Sequence, residues 1–131
     1  MRAIIVTSLL LTTGCKAVER VAVAPLPDDA APMPFVDLVA RARAQVIAAN
    51  EAFYVDNWLA IDEAARGLEQ TARFLKRAQN VPPARAADLD SRSDLLLREA
   101  AALRRAAAER NVQQINAVLQ RIHYQIRELR S

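Results

Sequence analysis

The sequence predicts an all-α protein, an antiparallel up-down-up-down four-helix bundle, and three observations carry that expectation. Glycine occurs only twice in 131 residues, too rarely for the positive-φ turns that hairpins and sheets need. Alanine, arginine and leucine dominate instead, and these are among the strongest helix formers. Beyond residue 34 the chain divides into four amphipathic stretches separated by proline- or asparagine-bearing breaks. At this length there is room for one domain.

The elements begin with a leader, residues 1–14. Met1-Arg2 is a minimal positive start, and Ala3 to Leu11 is an uncharged apolar run, of signal-peptide length and too short to span a bilayer. It leads into Leu11-Thr12-Thr13-Gly14-Cys15, which holds the single cysteine of the chain. The small residues Thr13 and Gly14 before Cys15 resemble the bacterial lipobox, in which the cysteine is lipidated and becomes the first residue. Thr12 departs from that pattern, because the leucine usual three residues before the cysteine stands one place earlier, at Leu11. The alternative is an ordinary secretory leader with a free thiol nearby. A lone thiol is a liability in an oxidising compartment, and acylation of Cys15 accounts for it. Two or three acyl chains would anchor the chain stably, at roughly 0.8 kcal/mol per buried methylene. The expectation is a lipid-anchored protein of the cell envelope facing the periplasm. Lys16 after the cysteine leaves the choice of inner or outer membrane open.

Residues 15–33 change character. Pro25, Pro27 and Pro32, with Pro34 just beyond and Asp28 and Asp29 between them, favour an extended, solvated backbone. They predict a tether that lifts the domain, residues 34–131, off the membrane.

In the first stretch, Phe35, Leu38, Val39, Ala42, Val46, Ala49 and Phe53 recur at helical steps, with Pro34 at N1 and a frayed end from Asn50 to Tyr54. The second runs through Trp58, Ile61, Ala65, Leu68, Ala72, Leu75 and Ala78, with Asp56 as the expected N-cap. Asn80-Val81-Pro82-Pro83 stops it, since a residue before proline is pushed out of the helical region. Leu89, Leu96, Ala100, Leu103 and Ala107 mark the third stretch, and Asn111 the break after it. Val112, Ile115, Leu119, Ile122, Ile126 and Leu129 give the fourth an unbroken apolar seam. Each stretch makes about 30 Å of helix at 1.5 Å per residue. Short connections predict antiparallel neighbours, and Pro82-Pro83 rules out one continuous coiled-coil rod.

Composition also narrows function. The net charge of +3 is spread through interleaved acidic and basic residues, such as Asp62, Glu63, Arg66, Glu69 and Arg73. No like-charged block could track a phosphate backbone, so nucleic acid is not an expected partner. Inward-facing glutamates with Glu-x-x-His pairs, as in di-iron bundles, are missing. The one histidine, His123, has Gln120 three residues before it. A nucleophile–histidine–acid set has no support either, because Cys15 sits at the leader junction. No enzyme is predicted, and no metal site.

His123 lies in Leu119-Gln120-Arg121-Ile122-His123-Tyr124-Gln125-Ile126-Arg127 on the last stretch. Here the sequence resembles the cytochromes of the c-prime type and cytochrome b562, four-helix bundles whose last helix carries the haem-ligating histidine with an arginine close behind. Laid on their Cys-x-x-Cys-His motif, the cysteines fall on Leu119 and Ile122, the histidine on His123 and the arginine on Arg127. The Trp58 region, Leu68-Glu69-Gln70-Thr71-Ala72, the break at Pro82 and the alanine-rich third stretch follow in the same order. The resemblance covers residues 34–130. Leucine and isoleucine supply no thiols, so covalent haem is excluded.

The resemblance then implies one of two things. The leading expectation is a haem-free, non-catalytic relative working as a binding or interaction module in the envelope, anchored to the membrane by its lipid and meeting a helical or envelope protein partner. The alternative is a b-type haem protein for electron transfer or gas binding, with non-covalent haem b on His123, Met33 as second ligand and Arg127 beside it. The bland reading of His123 is a histidine flanking the apolar seam with one nitrogen in water. A sensor or adaptor of another helical family is a third class, since bundles host many functions.

Overall fold

The computed structural model describes residues 23–131. Over this range the protein is all-helical, and among the described residues there is no strand, only an isolated bridge between Pro34 and Gln79. Four long helices carry the fold: α1 (Phe35–Tyr54), α2 (Trp58–Leu75), α4 (Leu89–Ala108) and α5 (Val112–Arg130), with a single turn, α3 (Pro83–Ala86), between the second and third of them.

The ends follow from local chemistry. Pro34 stands just outside α1 as its N-cap, one place before the N1 position expected, and the helix runs through to Tyr54 without fraying at Asn50. At the head of α2 the cap is Asn57, whose side chain accepts the Ala60 N–H at 3.1 Å. Asp56, the expected cap, instead turns the chain with a φ of 54°. Asn111 caps α5 by accepting the Gln114 N–H at 3.1 Å. Asn80 and Arg110 are also left-handed, with φ of 54° and 51°. Left-handed turns are therefore made without glycine, at about 1–2 kcal/mol each. α2 ends at Leu75, one turn before Ala78, and Pro83 does more than stop a helix, because its fixed φ opens the turn of α3.

Each helix buries most of the stripe that its spacing predicts, with Val112 at the start of α5 the exposed exception. α1 packs on α2 and α5, and α4 packs on the same two, so the four long helices close a ring around one core. Leu38, Val46, Ile61, Leu68, Leu75, Leu96, Leu103, Ile115 and Ile122 are fully buried in it. Ala42, Ala49, Ala65, Ala72 and Ala100 face them, also buried, and these small residues let helix backbones approach closely. Phe53 and Trp58 pack only partly against the core. Charge follows the α2–α4 seam: Arg104 reaches Glu69 at 3.2 Å and Asp62 at 3.3 Å, and Lys76 pairs with Asp94.

Polar burial was not legible in the stripes. Gln45 is completely buried on α1, its Oε1 accepting the Thr71 hydroxyl at 2.8 Å. Gly67 makes room for it, since a Cβ there would stand 2.9 Å from Gln45 Nε2. Gln70 and Arg41 hold the proline-rich segment. The Leu26 N–H donates to Gln70 Oε1 at 2.9 Å, Gln70 Nε2 donates to the Leu26 carbonyl at 2.6 Å, and the Arg41 guanidinium donates to the Ala24 carbonyl. Gln79 donates its N–H to the Met33 carbonyl at 2.9 Å, and Phe35 donates to the Gln79 carbonyl at 2.8 Å. Leu26, Ala30 and Met33 pack on the core. From residue 24 on, the segment read as a solvated spacer is a strap along the bundle. Its prolines keep it extended, and its free backbone groups find side-chain partners on α1 and α2. Among the described residues no helix is long and apolar enough to cross a membrane.

Candidate functional site

Three surfaces of the bundle carry candidate chemistry. The first surrounds His123. On α5, Leu119, Ile122 and Ile126 point into the core, and His123, about 100° further round the helix, is exposed. It opens onto a shallow groove of about 360 Å³ between α1 and α5, walled by Arg43, Val46, Tyr124, Arg127 and Arg130. The Arg127 guanidinium lies over the Tyr124 ring, 5.8 Å from its centre, an arrangement worth about 0.5–1 kcal/mol at an exposed site. The structure thus brings His123 and Arg127 to one place. It does not bring Met33 there: Met33 sits in the strap by Gln79 and is not among the walls of this groove. Cys15 lies outside the described residues.

A haem held by His123 would need a flat apolar slot between helices, with the imidazole aimed into it. These residues do not fit that requirement. The seam beside His123 is filled by Leu119 and Ile122, and Ala42, Ala49, Ala65 and Ala72, the residues small enough to leave a gap, are themselves buried in helix contacts. The groove onto which His123 does open is shallow and carries the guanidinium groups of Arg43, Arg127 and Arg130 beside Val46, Ile126 and Tyr124, not an enclosed apolar slot. Among the described residues there is also no group of three or more His, Cys, Asp or Glu side chains that could hold a metal ion.

The second surface is a larger groove, about 570 Å³, along the outside of α1. Val36, Ala40, Ala44 and Ile47 form its apolar floor, and Arg43, Arg85, Arg130 and Glu51 stand along it. Val36 is 70% exposed there. α1 therefore has two apolar stripes, one in the core and one facing outward. The second is written in the sequence at steps of four and three, offset from the core stripe on the opposite side of the helix.

The third surface is an end of the bundle. Arg110, in the α4–α5 turn, lies over the Trp58 ring at 6.0 Å, tying that turn to the head of α2. Around this contact stand Tyr54 (80% exposed), Val55, Leu59 (69% exposed) and Val112. Val112 had been assigned to the core seam of the last helix, but as the first residue of α5 it lies beyond the packed layers. Tyr54, Val55, Leu59 and Val112 are thus large apolar side chains exposed at or next to the helix ends of this side of the bundle. The electrostatics elsewhere are structural. The Arg66 guanidinium, and after it Arg104, hold the Asp62 carboxyl below its usual range, against the opposing effect of burial.

Comparison with models of known protein families, with curated proteins and with solved structures finds no match. The cytochrome resemblance accordingly rests on the sequence pattern alone.

Proposed function

We propose that this chain is a lipid-anchored envelope protein whose domain is an antiparallel up-down-up-down four-helix bundle acting as a non-catalytic binding module. The order of partners supports the topology. Gln45 meets Thr71 while Phe35 meets Gln79, and Glu69 meets Arg104 while Lys76 meets Asp94, so partner numbers rise on one helix as they fall on the next. Arg121 pairs with Glu99, and the start of α1 shares a groove with the end of α5 through Phe35 and Leu129.

The observation that carries the binding role is the apolar end formed by Tyr54, Val55, Leu59 and Val112. It sits at the head of α2, whereas the strap joins the bundle beside Gln79, beyond the other end of that helix. The two points are separated by about 30 Å of helix at 1.5 Å per residue. Nearer Cys15 the strap is held partway along the bundle, by Gln70 at Leu26 and by Arg41 at Ala24, so a chain anchored through Cys15 would be tied along its side with the apolar end left free to meet an envelope partner.

The anchor is carried by Thr13-Gly14-Cys15. Expressed with its own leader, the protein should fractionate with membranes and incorporate labelled fatty acid, and Cys15→Ser should lose the label and either release the chain or leave its leader uncut. Unchanged processing and retention in Cys15→Ser would refute the lipoprotein reading.

A further inference from the structure

We propose that the groove between α1 and α5 binds a phosphate group, with Arg43, Arg127 and Arg130 supplying charge and His123 and Gln120 further donors. Gln120, His123, Arg127 and Arg130 recur at steps of three and four along α5, which puts them on one face of the helix. Arg43 enters from α1, so two helices build the site, and the space between its walls is about 360 Å³. Among the described residues no carboxylate stands in those walls.

The basic residues of the other seams are placed differently. Arg104 and Lys76 are matched by Glu69, Asp62 and Asp94, and on α5 itself Arg121 is matched by Glu99. Among the described residues Arg43, Arg127 and Arg130 make no ion pair. Helix polarity explains part of this, because Arg127 and Arg130 lie in the last turn of α5, where the dipole favours cations. It does not explain Arg43, which stands in the middle of α1 and brings like charge up to them. Cations gathered in this way repel one another, and an anion between them turns that repulsion into binding.

The donors fit phosphate. A guanidinium presents a planar fork of N–H groups that matches the oxygens of a phosphate. Arg127 is already placed, since it lies over the Tyr124 ring, 5.8 Å from its centre, and its N–H edge is left to donate. Holding a donor in position before the ligand arrives lowers the ordering cost of binding. Three guanidinium charges favour a dianion over a single carboxylate, so the ligand class is a phosphomonoester. Val46 and Ile126, both buried, close the floor beneath the cations. The groove is open above, so the phosphate can belong to a small soluble molecule or to a lipid headgroup. This site and the apolar end share no residue, and either can fail without the other.

His123 is the single histidine of the chain, so its ring signal in an NMR spectrum reports on the groove without ambiguity. The test is a titration of the full chain in uncharged-detergent micelles at fixed pH. One arm adds inorganic phosphate, a second adds phosphatidic acid to the micelles, and sodium chloride at matched ionic strength is the control. The ring signal should move saturably with a phosphate probe and not with chloride. A response to both probes assigns a soluble phosphate, and a response to phosphatidic acid alone assigns a lipid headgroup. Arg43→Gln and Arg127→Gln should each weaken the apparent affinity about tenfold, the loss of one charge-assisted hydrogen bond. Arg98→Gln, exposed on α4, should leave it unchanged, and all variants should keep their helical circular dichroism. No saturable shift with either probe would overturn the proposal, and so would wild-type affinity in Arg43→Gln and Arg127→Gln. A stronger response to succinate than to phosphate would also overturn it, because a dicarboxylate would then be the occupant.

Discussion

Between α2 and α4, Arg104 reaches both Glu69 and Asp62, and Lys76 reaches Asp94, so paired charge flanks the apolar seam along most of its length. Between α1 and α5, among the described residues, no ion pair crosses. Arg43, Arg127 and Arg130 line an open groove there instead, and the same arginines Arg43 and Arg130 border the larger groove outside α1. Both seams are lined with the same mixture of alanines and larger aliphatics. What separates them is what surrounds the buried apolar stripe: on one side complementary charges close over it, and on the other arginines of like charge line an open groove above it. One half of the bundle is a scaffold, and the surfaces with candidate roles gather on the other half and at the apolar end.

That contrast can be broken by mutation. Leu103→Ala, in the α2–α4 layer, should destabilise the domain by about 2–5 kcal/mol, the range for large-to-small changes in a core that cannot collapse. Val46→Ala, whose side chain borders the His123 groove, removes two carbons beside a space that solvent can enter. It should cost about 1–2 kcal/mol at roughly 0.8 kcal/mol per carbon. Denaturant titrations that gave equal losses for the two would erase the distinction between closed and open seams.

A smaller effect should separate the seams by pH. The folded pKa of Asp62 is depressed, so its contribution is present above the ordinary carboxyl value of 3.8 and is lost as pH falls from there through the lower folded value. Wild type should therefore lose more thermal stability than Asp62→Asn on acidification below about pH 4. The difference should be small, because the carboxylate is partly solvated and its ion pairs are screened. A parallel pH dependence in the two proteins would show that the charges along the α2–α4 seam do not contribute to holding it shut.

The elements that were legible in the sequence are those decided within a few residues. Pro82-Pro83, Asn111 and the steps of three and four through Ile61, Leu68 and Leu75, or Ile115, Leu119 and Ile122, each fix a boundary or a stripe locally. What was missed depends on partners far along the chain. Gln70 looks like a surface residue until Leu26, 44 positions away, presents both an N–H and a carbonyl to it. Gln45 looks equally exposed until Thr71 and the space at Gly67 receive it. The docked strap could not be read from its prolines, which favour extension whether the chain is solvated or packed. At the candidate sites, the 3.6-residue period already placed His123 off the seam that Ile122 enters. The apolar end was hidden for the opposite reason: Val112 continues the stripe of α5 past the last layer that has anything to pack against.

We propose that the protein meets a partner through the end formed by Tyr54, Val55, Leu59 and Val112. It is tested most directly by placing a photo-cross-linking residue at Leu59, and for comparison at exposed Arg98 on α4, in the full chain expressed with its own leader, and irradiating intact cells. Leu59 should give a discrete higher-mass adduct and Arg98 none. No adduct from Leu59, or the same adducts from both positions, would contradict it.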